Sequence, residues 1–198
     1  MELDRSRKIR SVSADTNVLL DVPNYYSLKA RESSLTPEER DMLKRCGSSL
    51  EVLIMCLTED VKIKRVGLRV VEKELARDLS MLRLYRSVFP PSIKPPQQVK
   101  KLAKLYMRTG IPSADALILA LASYLKTDVL FSWNREDIVK KSVQESVEEI
   151  NRKQRVGTPS FITPSDFLSR IFLSNDKSIC LSPSPIPQIY RLRFFHSK

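Results

Sequence analysis

Three short apolar runs and one stretch that alternates apolar and basic residues, each succeeded by a segment of helical periodicity, constrain the fold of this chain more than any other feature. Ile9 to Ala14, Val61 to Val66, Asp128 to Phe131 and the stretch near Ser160 to Ile162 read as strands. Strands that alternate with helices pair in parallel, because each crossover must carry the chain back to the same end of the sheet. A parallel sheet in turn needs both faces covered. The expectation is an α/β fold, a three-layer α/β/α sandwich with a mainly parallel central sheet.

The helical segments carry their own punctuation. Thr16 to Asp21 reads as the opening of a helix, and the polar stretch Val22 to Ser34, with Pro23 and Asn24, as a loop. Thr36-Pro37-Glu38-Glu39 is a helix start with Thr at the cap, Pro at the first position and Glu at the third. Leu68 to Leu84 reads as one helix, broken by the proline-rich Phe89 to Pro96, and Gln97 to Arg108 as a short basic helix. Ser113 is expected to cap the next helix, whose apolar face runs through Leu117, Ile118, Leu121 and Leu125. Ile138 to Asn151 is helical and charged, and Thr163-Pro164-Ser165-Asp166 starts the last helix. These elements make one domain over residues 1–173. Residues 174–198 form a basic, Pro/Ser-rich arm, read as packing across the domain or a neighbouring subunit, as gripping nucleic acid, or as disordered.

Charge narrows the function classes. The net charge is +11, the electrostatic footprint of a polyanion binder. The single histidine, His196, excludes a nuclease that works with paired histidines as acid and base. Three cysteines, Cys46, Cys56 and Cys180, with no C-x-x-C spacing, argue against a disulfide framework or a cysteine-ligated zinc. They read as small buried hydrophobes of a reducing, cytoplasmic compartment. No apolar run reaches the length of a membrane span, and MELDRSRKIR lacks the apolar core of a secretory signal. With four glycines and no G-x-G-x-x-G, Walker A loop or G-x-S-x-G elbow, dinucleotide binding, P-loop chemistry and triad hydrolysis are not expected.

Chemistry on a polyanion without histidine falls to carboxylates and a hard metal ion. In open α/β sheets ligands bind beyond the carboxyl ends of the strands. That layout puts Asp15 there, just after the first strand, with Ser132 and Asn134 just after the third and Asp115 in the first turn of the Ser113 helix. Glu72 and Glu74, in VVEKELARDL, lie on different faces of their helix, so at most one points to the same edge. Taken singly, Asp15 also reads as a helix cap, Asp115 as a partner of the helix dipole and Asn134 as a turn residue. Converging carboxylates repel one another and bind Mg²⁺ or Mn²⁺, which take oxygen ligands and keep several waters. Such an ion acidifies a bound water and offsets charge on a phosphate, and a basic rim would hold the nucleic-acid backbone.

These residues resemble the PIN-domain ribonucleases. SADTNVLLD is similar to their first motif, VVEKEL to the second, IPSADALILALA to the third, and VLFSWNREDIVKKSVQESVEEINRKQRVGTPSFITPSDFL to the fourth motif with the last strand and helix. The resemblance spans roughly residues 9–172. It implies a Mg²⁺- or Mn²⁺-dependent endoribonuclease acting on RNA, with Asp15, Glu74 and Asp115 as acidic metal residues. Glu74 is preferred to Glu72 because Leu75 follows it. Ser132 and Asn134 would help to place metal-bound water, Asn134 itself counting among the metal-site residues. Many prokaryotic members are VapC-type toxins held by a small antitoxin, and many are homodimers. The departure is Asn134, where many members carry aspartate; Asp137 is a partial substitute. An RNA-binding scaffold on the same fold, with weak or no catalysis, is the alternative expectation.

Overall fold

The computed structural model describes residues 9–58 and 63–173; the expectations for residues 174–198, with His196 and Cys180, and for Val61 and Lys62 lie outside them. Four strands, β1 (Ser11–Ala14), β2 (Lys64–Arg65), β3 (Val129–Phe131) and β4 (Ser160–Ile162), form one sheet in the order β2-β1-β3-β4, every pair parallel. Ala14 is in register with Phe131, and Phe131 with Ile162, so the carboxyl ends of β1, β3 and β4 finish level. Val12, Ala14, Val129, Leu130 and Phe131 are wholly buried, as the apolar runs require.

Around the sheet lie α1 (Thr16–Lys29), α2 (Pro37–Leu57), α3 (Arg69–Glu74), α4 (Leu79–Val88), α5 (Gln97–Met107), α6 (Ser113–Tyr124), α7 (Lys141–Gln154) and α8 (Pro164–Leu173). The chain leaves β1 toward the β2 edge, then crosses back over β1 to β3 and moves on to β4. Right-handed crossovers therefore send α1 and α2 to one face and the helices between β2 and β4 to the other. Packing agrees for most of them: α1 and α8 pack on α2, α3 and α5 on α6, and α7 on α5, whereas α4, although it follows β2, packs on α1 and α2. The arrangement is α/β and compatible with helix layers on both faces of the sheet.

Several local expectations are corrected. The first strand begins at Ser11 rather than Ile9, and the third at Val129, because Asp128 turns its carboxylate to the N–H groups of Arg10 and Ser11, each at 2.9 Å. Val22 to Ser34 is not a loop: α1 continues through Pro23 to Lys29. An interior proline costs a helix about 3 kcal/mol, but here Pro23 faces solvent while Leu28 buries against Leu35 and Cys46. Leu68 to Leu84 is not one helix. A tighter 3₁₀ turn, Leu75–Arg77, ends α3, and the Asp78 carboxylate caps a new helix by accepting from the N–H groups of Ser80 and Met81, both at 3.0 Å. Ser113 is the first helical residue after Pro112 and makes no capping hydrogen bond. The charged helix runs from Lys141 to Gln154 rather than from Ile138, after a turn at 135–140. It ends on Arg155 in the left-handed conformation.

Candidate metal centre

The direction of the chain reverses between β1 and β3, so these adjacent strands flank the switch point where an open α/β sheet leaves a crevice. Asp15 stands at the end of β1, its N–H donating to the Phe131 carbonyl at 2.9 Å. Its backbone is extended, and Oδ1 accepts from the Thr16 N–H at 2.6 Å, which starts α1. Asp15 is thus a helix cap and more. Its second oxygen, Oδ2, accepts from the Ser132 hydroxyl at 2.8 Å and the Asn17 amide at 2.7 Å.

Ser132 and Asn134 follow β3. Ser132 is fully buried, and its Oγ accepts from the Asn134 N–H at 3.0 Å while donating to Asp15. The Asn134 amide nitrogen reaches Asp115 at 3.3 Å and Asp137 at 3.4 Å, and its oxygen accepts from the Asp137 N–H at 3.0 Å. An aspartate at position 134 would add another negative charge beside those two. The amide instead supplies donors that both carboxylates use. Glu74 is exposed and accepts from the Thr16 hydroxyl, which ties α3 to the start of α1.

Electrostatics join the members. Asp15 is 5% exposed, and burial raises its pKa above the ordinary 3.8, against the hydrogen bonds of Ser132 and Thr16; the Glu74 charge adds to the rise. Half-buried Asp115 is pushed up to about 6 by burial first, then by the charges of Asp15, Asp137 and Glu74, with the Asn134 hydrogen bond opposing. Four carboxylates, from the end of β1, α3, α6 and the turn after β3, therefore share one field.

Glu72 does not join them. It is 3% exposed and held by Arg69 at 2.5 Å and Arg86 at 3.4 Å, an ion triad linking α3 to α4. Burial, the largest influence on it, works upward, but the polar side chains of Arg69, Ser92 and Arg86, together with the Arg86 charge, prevail and leave it below the usual glutamate value. Next to this triad, Gly67 passes so close to the loop after α4 that a Cβ there would meet the Pro90 carbonyl oxygen at 2.1 Å.

Sequence reading did not single out what holds the Ser132–Asn134 segment. The Asn17 oxygen accepts from the Trp133 N–H at 3.1 Å. The Trp133 indole N–H donates to Ser49 Oγ at 2.7 Å, and Ser49 donates to buried Asp21 at 2.7 Å. Arg45 closes the ring, pairing with Asp21 at 3.3 Å and lying over the indole at 5.2 Å. The pairing of D-x-N in one motif with W-N in another was the available signal, but only the fold brings the two together.

Among the described residues, no three histidine, cysteine, aspartate or glutamate side chains stand close enough to hold a metal ion as placed. Their oxygens are engaged by Ser132, Asn17, Thr16 and Asn134 instead. The donor set nevertheless fits a hard divalent cation: it is all oxygen, it carries like charges in one field, and Mg²⁺ needs only one or two carboxylates beside its waters. Compared with protein-family models, curated proteins and solved structures, the chain finds no match in any of the three.

Proposed function

We propose that this chain is a PIN-like, three-layer α/β/α endoribonuclease that depends on Mg²⁺ or Mn²⁺. The observation that carries the reading is one chain of hydrogen bonds at the β1/β3 switch point, from Asp15 through Ser132 and Asn134 to Asp115 and Asp137, with Glu74 tied to the start of α1. Asp15, Glu74, Asp115 and Asn134 would hold the ion. When bound, such an ion acidifies a water and offsets the charge on a phosphate. The chain's own residues do the positioning. Ser132 and Asn17 fix one oxygen of Asp15, Thr16 orients Glu74, and Asn134 bridges Asp115 and Asp137 by donating to both. The charge of +11 supplies attraction for an RNA backbone around this acidic centre.

The family resemblance extends this reading to a cytoplasmic toxin, acting as a homodimer and restrained by a small antitoxin. A short open reading frame directly upstream is its check. No helix among the described residues is long and apolar enough to cross a membrane.

Cleavage of labelled RNA with Mn²⁺ or Mg²⁺, absent in Asp15→Ala and Asp115→Ala, is the expected result. Equal cleavage by wild type and both variants under every metal overturns the reading. A second reading, an RNA-binding scaffold, is favoured by neutral Asn134 and by the lack of a ready cage among the described residues. It predicts RNA affinity that falls with salt while added Mn²⁺ cuts nothing.

A further inference from the structure

Positive charge is unevenly placed. From Leu79 to Ala114 the sequence holds seven basic residues (Arg83, Arg86, Lys94, Lys100, Lys101, Lys104 and Arg108) and no acidic one, against a net charge of +11 for the whole chain. Among the described ion pairs, only Arg86 of these seven takes part, with Glu72. Four of them belong to α5 and its C-cap. At about 100° per residue, Lys100, Lys104, Arg108 and Lys101 fall within an arc of about 100°, and all four are exposed. Val99, Leu102, Ala103 and Tyr106 occupy the opposite side and are buried. The cationic stripe is about 12 Å long, from Lys100 to Arg108.

We propose that this face of α5 is the track on which the phosphate backbone of an RNA strand lies while a bond is presented to the Asp15–Asp115 centre. The inference rests on the ribonuclease reading and adds the surface that would hold the substrate. Three observations support it. α5 packs along α6, the helix whose first turn carries Asp115. Only Thr109 to Pro112 separates Arg108 from α6, and that turn is tightened by Thr109 and Gly110 N–H bonds to the Tyr106 and Met107 carbonyls. Even fully extended, it would keep the Cα atoms of Arg108 and Ser113 within about 18 Å. Lastly, the apolar side of α5 is spent on the core, which leaves little to insert into a lipid surface, so charge complementarity favours a nucleic acid over a membrane.

The test compares K100Q/K104Q/R108Q with K29Q/K44Q/K153Q, which removes the same charge from other exposed positions. Thermal melts first confirm that both fold. Binding of a fluorescent single-stranded RNA, read by anisotropy across salt, should weaken about 100-fold at 0.1 M for the α5 variant. Its log–log salt slope should shrink by about 2, since each single-strand phosphate contact contributes about 0.7. The control should move far less, K100R/K104R should bind like wild type, and the loss in cleavage should fall in KM. Equal losses in both triple variants would overturn the track in favour of bulk charge. Loss of binding to phosphatidylserine vesicles but not to RNA would overturn it in favour of a membrane. Unchanged RNA binding by the α5 variant sinks the track while leaving the ribonuclease reading intact. A wild type that neither binds nor cuts RNA ends both.

Discussion

Two polar clusters are built into this domain, and they are built differently. At the carboxyl edge of the sheet Asp15, Asp115, Asp137 and Glu74 share one field, and Asp115 is pushed up to about 6 by burial first and by those charges second. On the α6–α7 side, Tyr106, Ser123 and Asn151 are fully buried and uncharged. Tyr106 donates to the Asn151 oxygen, while the Asn151 nitrogen lies 3.1 Å from Ser123 Oγ, 3.0 Å from the Gly157 carbonyl and 3.1 Å from Thr158 Oγ1. Burial pushes the Tyr106 hydroxyl up to about 12, so it stays a neutral donor. The second cluster satisfies itself and ties α5, α6 and α7 together. The first gathers like charges that its own hydrogen bonds relieve only in part. A fold retains such a cluster at a cost in stability where a ligand or a reaction uses it.

The sharpest way to break this comparison is a pair of substitutions. Asn151→Ala strands several buried partners and should cost about 3 kcal/mol in urea denaturation. Asp15→Asn removes a buried charge but turns an NH₂ toward one set of its donors, so it should cost less than Asn151→Ala while RNA cleavage collapses. If Asp15→Asn is the more destabilising of the two, the edge cluster is structural and the contrast fails.

Next in size is the contrast between neighbours on α3. Glu72→Gln weakens a triad whose arginines remain half in water, so a loss of about 1–2 kcal/mol is expected, with the calorimetric Mn²⁺ titration unchanged. Glu74→Gln should do the opposite, weakening the titration at little cost in stability. Trp133→Phe keeps the ring but removes the indole donor to Ser49, at about 1 kcal/mol. By loosening the Ser132–Asn134 segment it should also lower cleavage about 10-fold, as loss of a supporting partner does. Unaltered cleavage in this variant would show that the Asn17–Trp133 link does not position the site.

The smallest effect is a pH dependence. Folded Asp115 holds its proton up to about 6, against 3.8 ordinarily, so between those values the folded state binds more protons than the unfolded one. Stability must then fall as pH rises through that window, and the fall should be missing in Asp115→Asn. Mn²⁺ affinity should climb over the same range, because the carboxylates must be ionised to bind it. Parallel pH profiles for wild type and Asp115→Asn would remove Asp115 from the shared field.

By itself the sequence determined what neighbours along the chain decide. The apolar runs became strands within a few residues of their expected bounds, and the caps at Thr36 and Thr163 formed. The carboxylate between two apolar runs took its place at the end of β1. Only the tertiary structure decided between Glu72 and Glu74 as neighbours of Asp15, since periodicity says that two residues face different ways but not what each will meet. It also decided the length of α1 beyond Pro23, where a local penalty yields to the packing of Leu28 against Leu35 and Cys46. The partners of Asp15 were equally out of reach of the local pattern. Helical and turn signals act over about four residues, whereas the hydroxyl that fixes Asp15 comes from Ser132, 117 positions away.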